Sequence, residues 1–307
     1  MRIKYLFKRL ILNLKHENLF VVVSKILKTI FSSNKINLDK LMVDENLSLD
    51  DLFIKFGSDK GSLDGKKTYS FLKLKDNKRF SNYLNWINRK DYKNFDYQLG
   101  HNFSPIYEKY FSEIRFENLK ILEIGSANGH SVASFFYYFP NSQIYTIDIK
   151  KRFYFFYKSK RIIFETIDCM NNRSVKNFIN KFGKFDVIID DSSHTHPTFF
   201  NNIKNFYPSL NPDGLYFLED FKLADQELLM TRNYNEKFGK KLMTQFTITM
   251  DEIFKNIQNK IFFDHDILKK KDLEYIFENT EKVHIHYGDY PFSSLGILKK
   301  NNLIEKI

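Results

Sequence analysis

Two short segments carry most of the side chains able to do chemistry. Phe185–Pro197 reads FDVIIDDSSHTHP, an apolar-rich run ending in Asp190 and Asp191, with His194 three residues beyond Asp191. Gly214–Phe221 reads GLYFLEDF, a second apolar run ending in Glu219 and Asp220. Acids at strand ends often cap the helices that follow, and capping accounts for Asp190 or Asp220 taken singly. It does not account for four acids and a histidine meeting at one sheet edge. Asp191, Glu219 and Asp220 together offer hard oxygen donors in a number that suits Mg2+ better than zinc. Cys169 is the single cysteine, which excludes an intramolecular disulfide and a cysteine-built zinc site.

A third segment is suited to holding a ligand. Ile121–Ser131, ILEIGSANGHS, reads as a strand entering a glycine-bearing turn and then a helix. Gly125 and Gly129 let backbone amides come close to a bound group, and the start of the helix favours negative charge. The dinucleotide pattern G-x-G-x-x-G fails, because Ser126, Ala127 and Asn128 follow Gly125. The pattern present is E-x-G-x-x-x-G, from Glu123 to Gly129, with Ser131 in the first turn of the helix. Asp148 closes the next apolar run, where an acid accepts hydrogen bonds from two ribose hydroxyls. Asp168 closes the run after that, roughly 20 residues further on.

Regular elements must carry these groups. From Lys120 onward, apolar strands are expected at 120–126, 143–149, 161–168, 185–192 and 215–221, separated by helices at 131–139, 173–182 and 197–210. Two further strands, at 282–287 and 293–299, follow a lysine-rich helical stretch at 225–279. Apolar strands joined by helices predict a doubly wound, mostly parallel, seven-stranded α/β sheet of Rossmann-like type with an N-terminal helical extension. In such a sheet the C-terminal strand ends line the ligand crevice, so the acids face it. The division expected is a helical extension at 1–50, a segment at 51–118 that contributes to the active site, and an α/β domain at 119–307. Residues 36–60 read as a helix ending in the FGSDKGS loop, and the polar stretch at 61–100 reads as an insertion.

The extension opens with an amphipathic helix at residues 2–15. Ile3, Leu6, Phe7, Leu10, Ile11 and Leu14 share one face, opposite Arg2, Lys4, Lys8, Arg9 and Lys15. It is expected to pack on the domain or a second subunit, or to lie on an anionic membrane surface. The apolar run that follows is too short to span a bilayer. Over the whole chain, 48 basic residues against 37 acidic ones leave a formal charge of +11. Lys, Asn, Ile, Phe and Tyr are abundant together, as an A/T-rich codon bias would produce, and no basic motif interleaved with aromatics points to RNA. With 43% hydrophobic residues in 307, the chain is expected to form a soluble cytoplasmic protein with ample core, not a disordered one.

The turn from Glu123 to Gly129 resembles the first motif of class I S-adenosylmethionine (SAM) methyltransferases. Together with FGSDKG at 56–61, HNFSPIYEKYF at 101–111, the DDSSH run and the strand ending in Glu219-Asp220, the chain resembles the metal-dependent sugar O-methyltransferases that tailor macrolides and related natural products. DDSSH stands here where that family has DDGSH, and Phe103 where tyrosine is usual. The resemblance implies SAM bound by Glu123, Gly125, Ser126, Gly129, Ser131, Asp148, Asp168 and Asp190. It implies Mg2+ bound by Asp191, Glu219 and Asp220, with His194 as general base. The chemistry is consistent: a sugar hydroxyl is a poor nucleophile and needs a base and charge stabilisation at its oxygen. His196 reads as a loop or helix-start residue, and the resemblance places His101 near the active site. The implied acceptor is a sugar or nucleotide-sugar, with a homo-oligomer as a further partner and no nucleic acid. The alternatives left open are an RNA methyltransferase and a noncatalytic SAM-fold scaffold.

Overall fold

In the computed structural model, residues 35–62, 100–150, 155–225, 228, 248–288 and 293–302 are described. The expectations for residues 2–15 and for most of the insertion lie outside them. The elements run β1 (Ile36–Asn37), α1 (Leu49–Phe56), α2 (Ser104–Phe111), β2 (Lys120–Ile124), α3 (His130–Tyr138), β3 (Gln143–Asp148), β4 (Tyr157–Lys158) and β5 (Ile162–Thr166). After these come α4 (Asn172–Phe182), β6 (Phe185–Asp190), α5 (His196–Phe206), β7 (Leu210–Glu219), α6 (Met250–Asn259), α7 (Lys270–Asn279), β8 (Thr280–Tyr287) and β9 (Ser294–Lys300).

Seven strands form one sheet in the order β5-β3-β2-β6-β7-β9-β8. The first five in that order are parallel, and β9 lies antiparallel between β7 and β8. The mostly parallel doubly wound sheet expected from the apolar runs is therefore present. The order reverses between β2 and β6, so a crevice opens at their C-terminal ends. Side chains alternate across the sheet. Ile121, Val187, Ile189, Leu215 and Phe217 join a core with α1, α2 and α3, while Leu122, Ile188, Tyr216 and Leu218 join a second core with α4 to α7.

Residues 36–60 depart from the continuous helix expected there. Ile36–Asn37 pairs with Tyr157–Lys158 as a short parallel ladder, and a single 3-10 turn follows at Leu38–Lys40. Helix begins only at Leu49, where Ser48 and Asp51 form a capping box, and ends at Gly57 in a left-handed conformation with φ 79°. Side-chain bonds to the backbone, such as Asp44 Oδ1 accepting from the Asn46 amide, win over helix between these points. Likewise the helix expected at 197–210 stops at Phe206, and Tyr207–Ser209 forms a 3-10 turn ahead of β7.

Candidate functional site

The same alternation sorts the acids. Two residues on from Ile121, Ile189 and Phe217 stand Glu123, Asp191 and Glu219, which therefore face the side covered by α1 to α3. Asp190 follows Ile188 and Leu218 to the other side. There it is fully buried, accepting hydrogen bonds from Asn202 Nδ2 at 3.0 Å and Tyr216 Oη at 2.8 Å. The structure thus encloses Asp190 in the core behind the crevice and leaves Asp191 at its mouth.

Past the strand ends, two residues turn back sharply. His194 has φ 52° and Asp220 φ 50°, both in the left-handed region. These turns bring one ligand atom each from Asp191, His194 and Asp220 to within 4.8 Å of one another. His194 Nε2 lies 3.5 Å from Asp191 Oδ1, and His194 Nδ1 is buried with no hydrogen-bond partner. His101 Nδ1 sits 3.0 Å from Asp220 Oδ1 and 2.8 Å from Ser293 Oγ. Burial alone would lower the His101 pKa, but the Asp220 carboxylate raises it to about 9.

Glu219 is not part of that group of three. Its Oε1 accepts from the Tyr107 hydroxyl and its Oε2 from Lys60 Nζ. The Lys60 ammonium also donates to Asp191 Oδ2 at 2.5 Å and lies 3.7 Å from Glu123 Oε1. Burial raises the Glu219 pKa to about 8 and the Glu123 pKa to about 7, each opposed by Lys60. Burial lowers the Lys60 pKa, but Asp191 and Glu219 outweigh it and hold the ammonium charged.

The glycine turn forms the adjoining wall. Gly125 has φ 91°, and a Cβ there would stand 2.1 Å from the Asp191 carbonyl oxygen, so only glycine lets the turn pack against the acid strand. Asp148 Oδ2 accepts from the Ala127 amide at 2.7 Å and its Oδ1 from the Lys150 amide at 2.6 Å, fixing the turn. Ser131 Oγ bonds Glu123 at 2.6 Å, which ties the start of α3 to β2. Ser126 Oγ is buried without a hydrogen-bond partner among the described residues. Asp168 is exposed and accepts from the Met170 amide at 2.9 Å. Ile149 and Met170, 69% and 48% exposed, stand beside these two acids as apolar surfaces that a flat ring would cover.

Sequence reasoning gave Lys60, Tyr107 and His101 no definite role, although all three reach the acids. His196, expected in a loop or at a helix start, heads α5 and pairs with Asp225 at 2.9 Å. The donor set fits a divalent cation: Asp191 and Asp220 supply hard oxygens, and the His194 ring stands beside them with its Nδ1 unpartnered among the described residues.

No family model matches the chain. A stretch covering 40% of it is 29% identical over 131 residues to demethylmacrocin O-methyltransferase of Streptomyces fradiae, of which it spans 33%. A similar stretch is 29% identical over 133 residues to mycinamicin VI 2''-O-methyltransferase of Micromonospora griseorubida, spanning 32% of that protein. The chain thus matches about a third of the length of these curated relatives. Among solved structures, it resembles the MycE methyltransferase of the mycinamycin pathway, in complex with Mg and SAH, with a TM-score of 0.51 and 20% identity. That likeness covers 74% of this chain and 56% of the other and is one of fold.

Proposed function

We propose that this chain is an O-methyltransferase that moves the methyl group of SAM to a sugar hydroxyl in the presence of Mg2+. The observation that carries the reading is the meeting of Asp191, His194 and Asp220 beside the glycine turn at the switch point of the sheet. The relatives that share sequence with it are, by their names, O-methyltransferases of demethylmacrocin, of mycinamicin VI at its 2'' position and of a rhamnosyl tetracenomycin at its 2' position. SAM supplies the methyl group, and Mg2+, held by Asp191 and Asp220, supplies charge stabilisation at the acceptor oxygen. His194 takes the hydroxyl proton, with Asp191 beside its ring to orient it. Glu123 and Ser131 hold the turn from below, while Gly125, Ser126 and Gly129 line the approach to the sulfonium. Asp148 and Asp168 face the nucleoside. The acceptor class is a nucleotide-sugar, a surface polysaccharide or a glycosylated natural product. Incubating the protein with SAM, Mg2+ and a panel of such acceptors, and following product mass, tests this: a gain of one methyl on a sugar hydroxyl is expected, and transfer only to RNA contradicts it.

Asp148→Ala removes the acceptor for two ribose hydroxyls. SAM affinity by calorimetry is expected to fall by roughly 1.5–3 kcal/mol, the worth of hydrogen bonds to a charged group. Unchanged affinity would remove Asp148 from the cofactor site.

We also infer that the reaction is cytoplasmic, with residues 2–15 packing on the fold or a second subunit, or resting on an anionic membrane face. Among the described residues, no helix is long and apolar enough to cross a membrane. If residues 2–15 rest on an anionic membrane face, deleting them releases the protein from anionic liposomes in a flotation assay. An insoluble deletion product would show instead that this helix packs on the fold or on a second subunit.

A further inference from the structure

We propose that the Lys60 ammonium is a tethered cation that fills the seat between Asp191 and Glu219, and so confines a divalent cation to the neighbouring seat of Asp191 and Asp220, beside His194. The inference rests on the metal-dependent reading above and changes what Glu219 does within it. Lys60 becomes a positioning residue, and Glu219 its counter-ion.

Both oxygens of Glu219 are already used, one by the Tyr107 hydroxyl and one by Lys60. Asp191 is shared between two seats: Oδ2 receives Lys60 at 2.5 Å, while Oδ1 faces His194. With Glu123 as a third acid at 3.7 Å, the ammonium is surrounded by carboxylates, and the Lys60 side chain is 2% exposed. An ammonium is a compact charge with three donors; two of them bond Asp191 and Glu219, and the charge of Glu123, on a third adjacent strand, lies 3.7 Å away.

The lysine is delivered by a built clip, not by a mobile side chain from the surface. Four backbone bonds join its loop to the segment before α2: Gly100 to Ser62, His101 to Asp59, Asn102 to Gly61 and Phe103 to Lys60, each from the later amide to the earlier carbonyl at 2.7–3.0 Å. A Cβ on Gly100 would lie 2.1 Å from the Gly61 carbonyl oxygen, so the two segments are in direct backbone contact. Asp50 in α1 anchors the far side, accepting from the Ser62 amide and hydroxyl and from Ser104 Oγ. A divalent ion could enter the Glu219 seat only by expelling a buried ammonium from a clipped loop. Without that charge the facing carboxylates would stand uncompensated in the core.

Mn2+ serves as the probe, counted by electron paramagnetic resonance and titrated by calorimetry on the full chain without SAM. The wild-type protein is expected to bind one Mn2+ ion. Glu219→Gln, whose amide oxygen still accepts a bond, should retain that ion, whereas Asp220→Asn should lose it. Lys60→Met should take up a second ion or bind the first at least about tenfold more tightly, because a unit charge a few ångströms away is gone. Folding of Lys60→Met is checked by circular dichroism, and if it does not fold, Glu219→Gln decides alone. Loss of the ion in Glu219→Gln would overturn the proposal, since Glu219 would then be a metal ligand that displaces Lys60. A folded Lys60→Met protein with one ion at wild-type affinity would overturn it too. If the wild type binds no Mn2+ and Lys60→Met does, the metal-dependent reading of the native chain fails while the Lys60 seat stands; if neither binds, both fall.

Discussion

Replacing His194 by asparagine is expected to lower turnover by roughly 10²–10⁴, the range for loss of one general base. Asparagine is the informative choice because His194 has φ 52°, a backbone region that asparagine enters more readily than alanine. The variant removes the imidazole without re-shaping the turn. SAM affinity by calorimetry should be unchanged, since the ring stands against Asp191 and not against the glycine turn. Partial recovery of the rate at higher pH is expected as solvent base replaces the imidazole. A variant that turns over at the wild-type rate would take the base role from His194.

Asp220→Asn is expected to have the second largest effect. Asp220 also sits in the left-handed region, at φ 50°, so asparagine keeps the chain path and removes only the charge. Losing one of the two carboxylates proposed to hold the cation should forfeit about 3 kcal/mol of charge stabilisation, or roughly 10²-fold in turnover at limiting Mg2+. Raising the Mg2+ concentration should recover part of this, and steady-state rates across a Mg2+ titration provide the check. Rates that fall equally at every Mg2+ concentration would assign Asp220 to substrate contact. His101, paired with Asp220, would then be the group to examine next.

The fold was legible because its signals are local. Five apolar runs with helices between them place a parallel sheet, and the observed strands begin or end within a few residues of where those runs do. The largest shift is at β7, which starts at Leu210, ahead of the expected 215. The acids at the ends of β6 and β7 were legible for the same reason, and a period of two further separates Asp190 from Asp191, since neighbours on a strand face opposite sides. Lys60 was not legible. Its bond to Asp191 spans 131 residues and its bond to Glu219 spans 159, and no local pattern encodes contacts at that range. Tyr107 is hidden for the same reason: YEK on a short helix looks like any amphipathic turn until Glu219 meets it. The 36–60 segment misled because its apolar residues fall near helical spacing while Asn37, Asp44 and Ser48 bond the backbone locally and break it up.

Metal-dependent methyl transfer to a sugar is the central claim, and one measurement addresses it most directly. With SAM carrying a labelled methyl group and an acceptor identified from the panel, label incorporation is followed before chelation, in excess EDTA, and after Mg2+ is restored in excess of the chelator. Incorporation into the sugar that falls to background in EDTA and returns with Mg2+ is the expected result. Undiminished transfer in EDTA would contradict the account, leaving His194 as the base of a metal-free methyltransferase and Asp191 and Asp220 as contacts to its substrates.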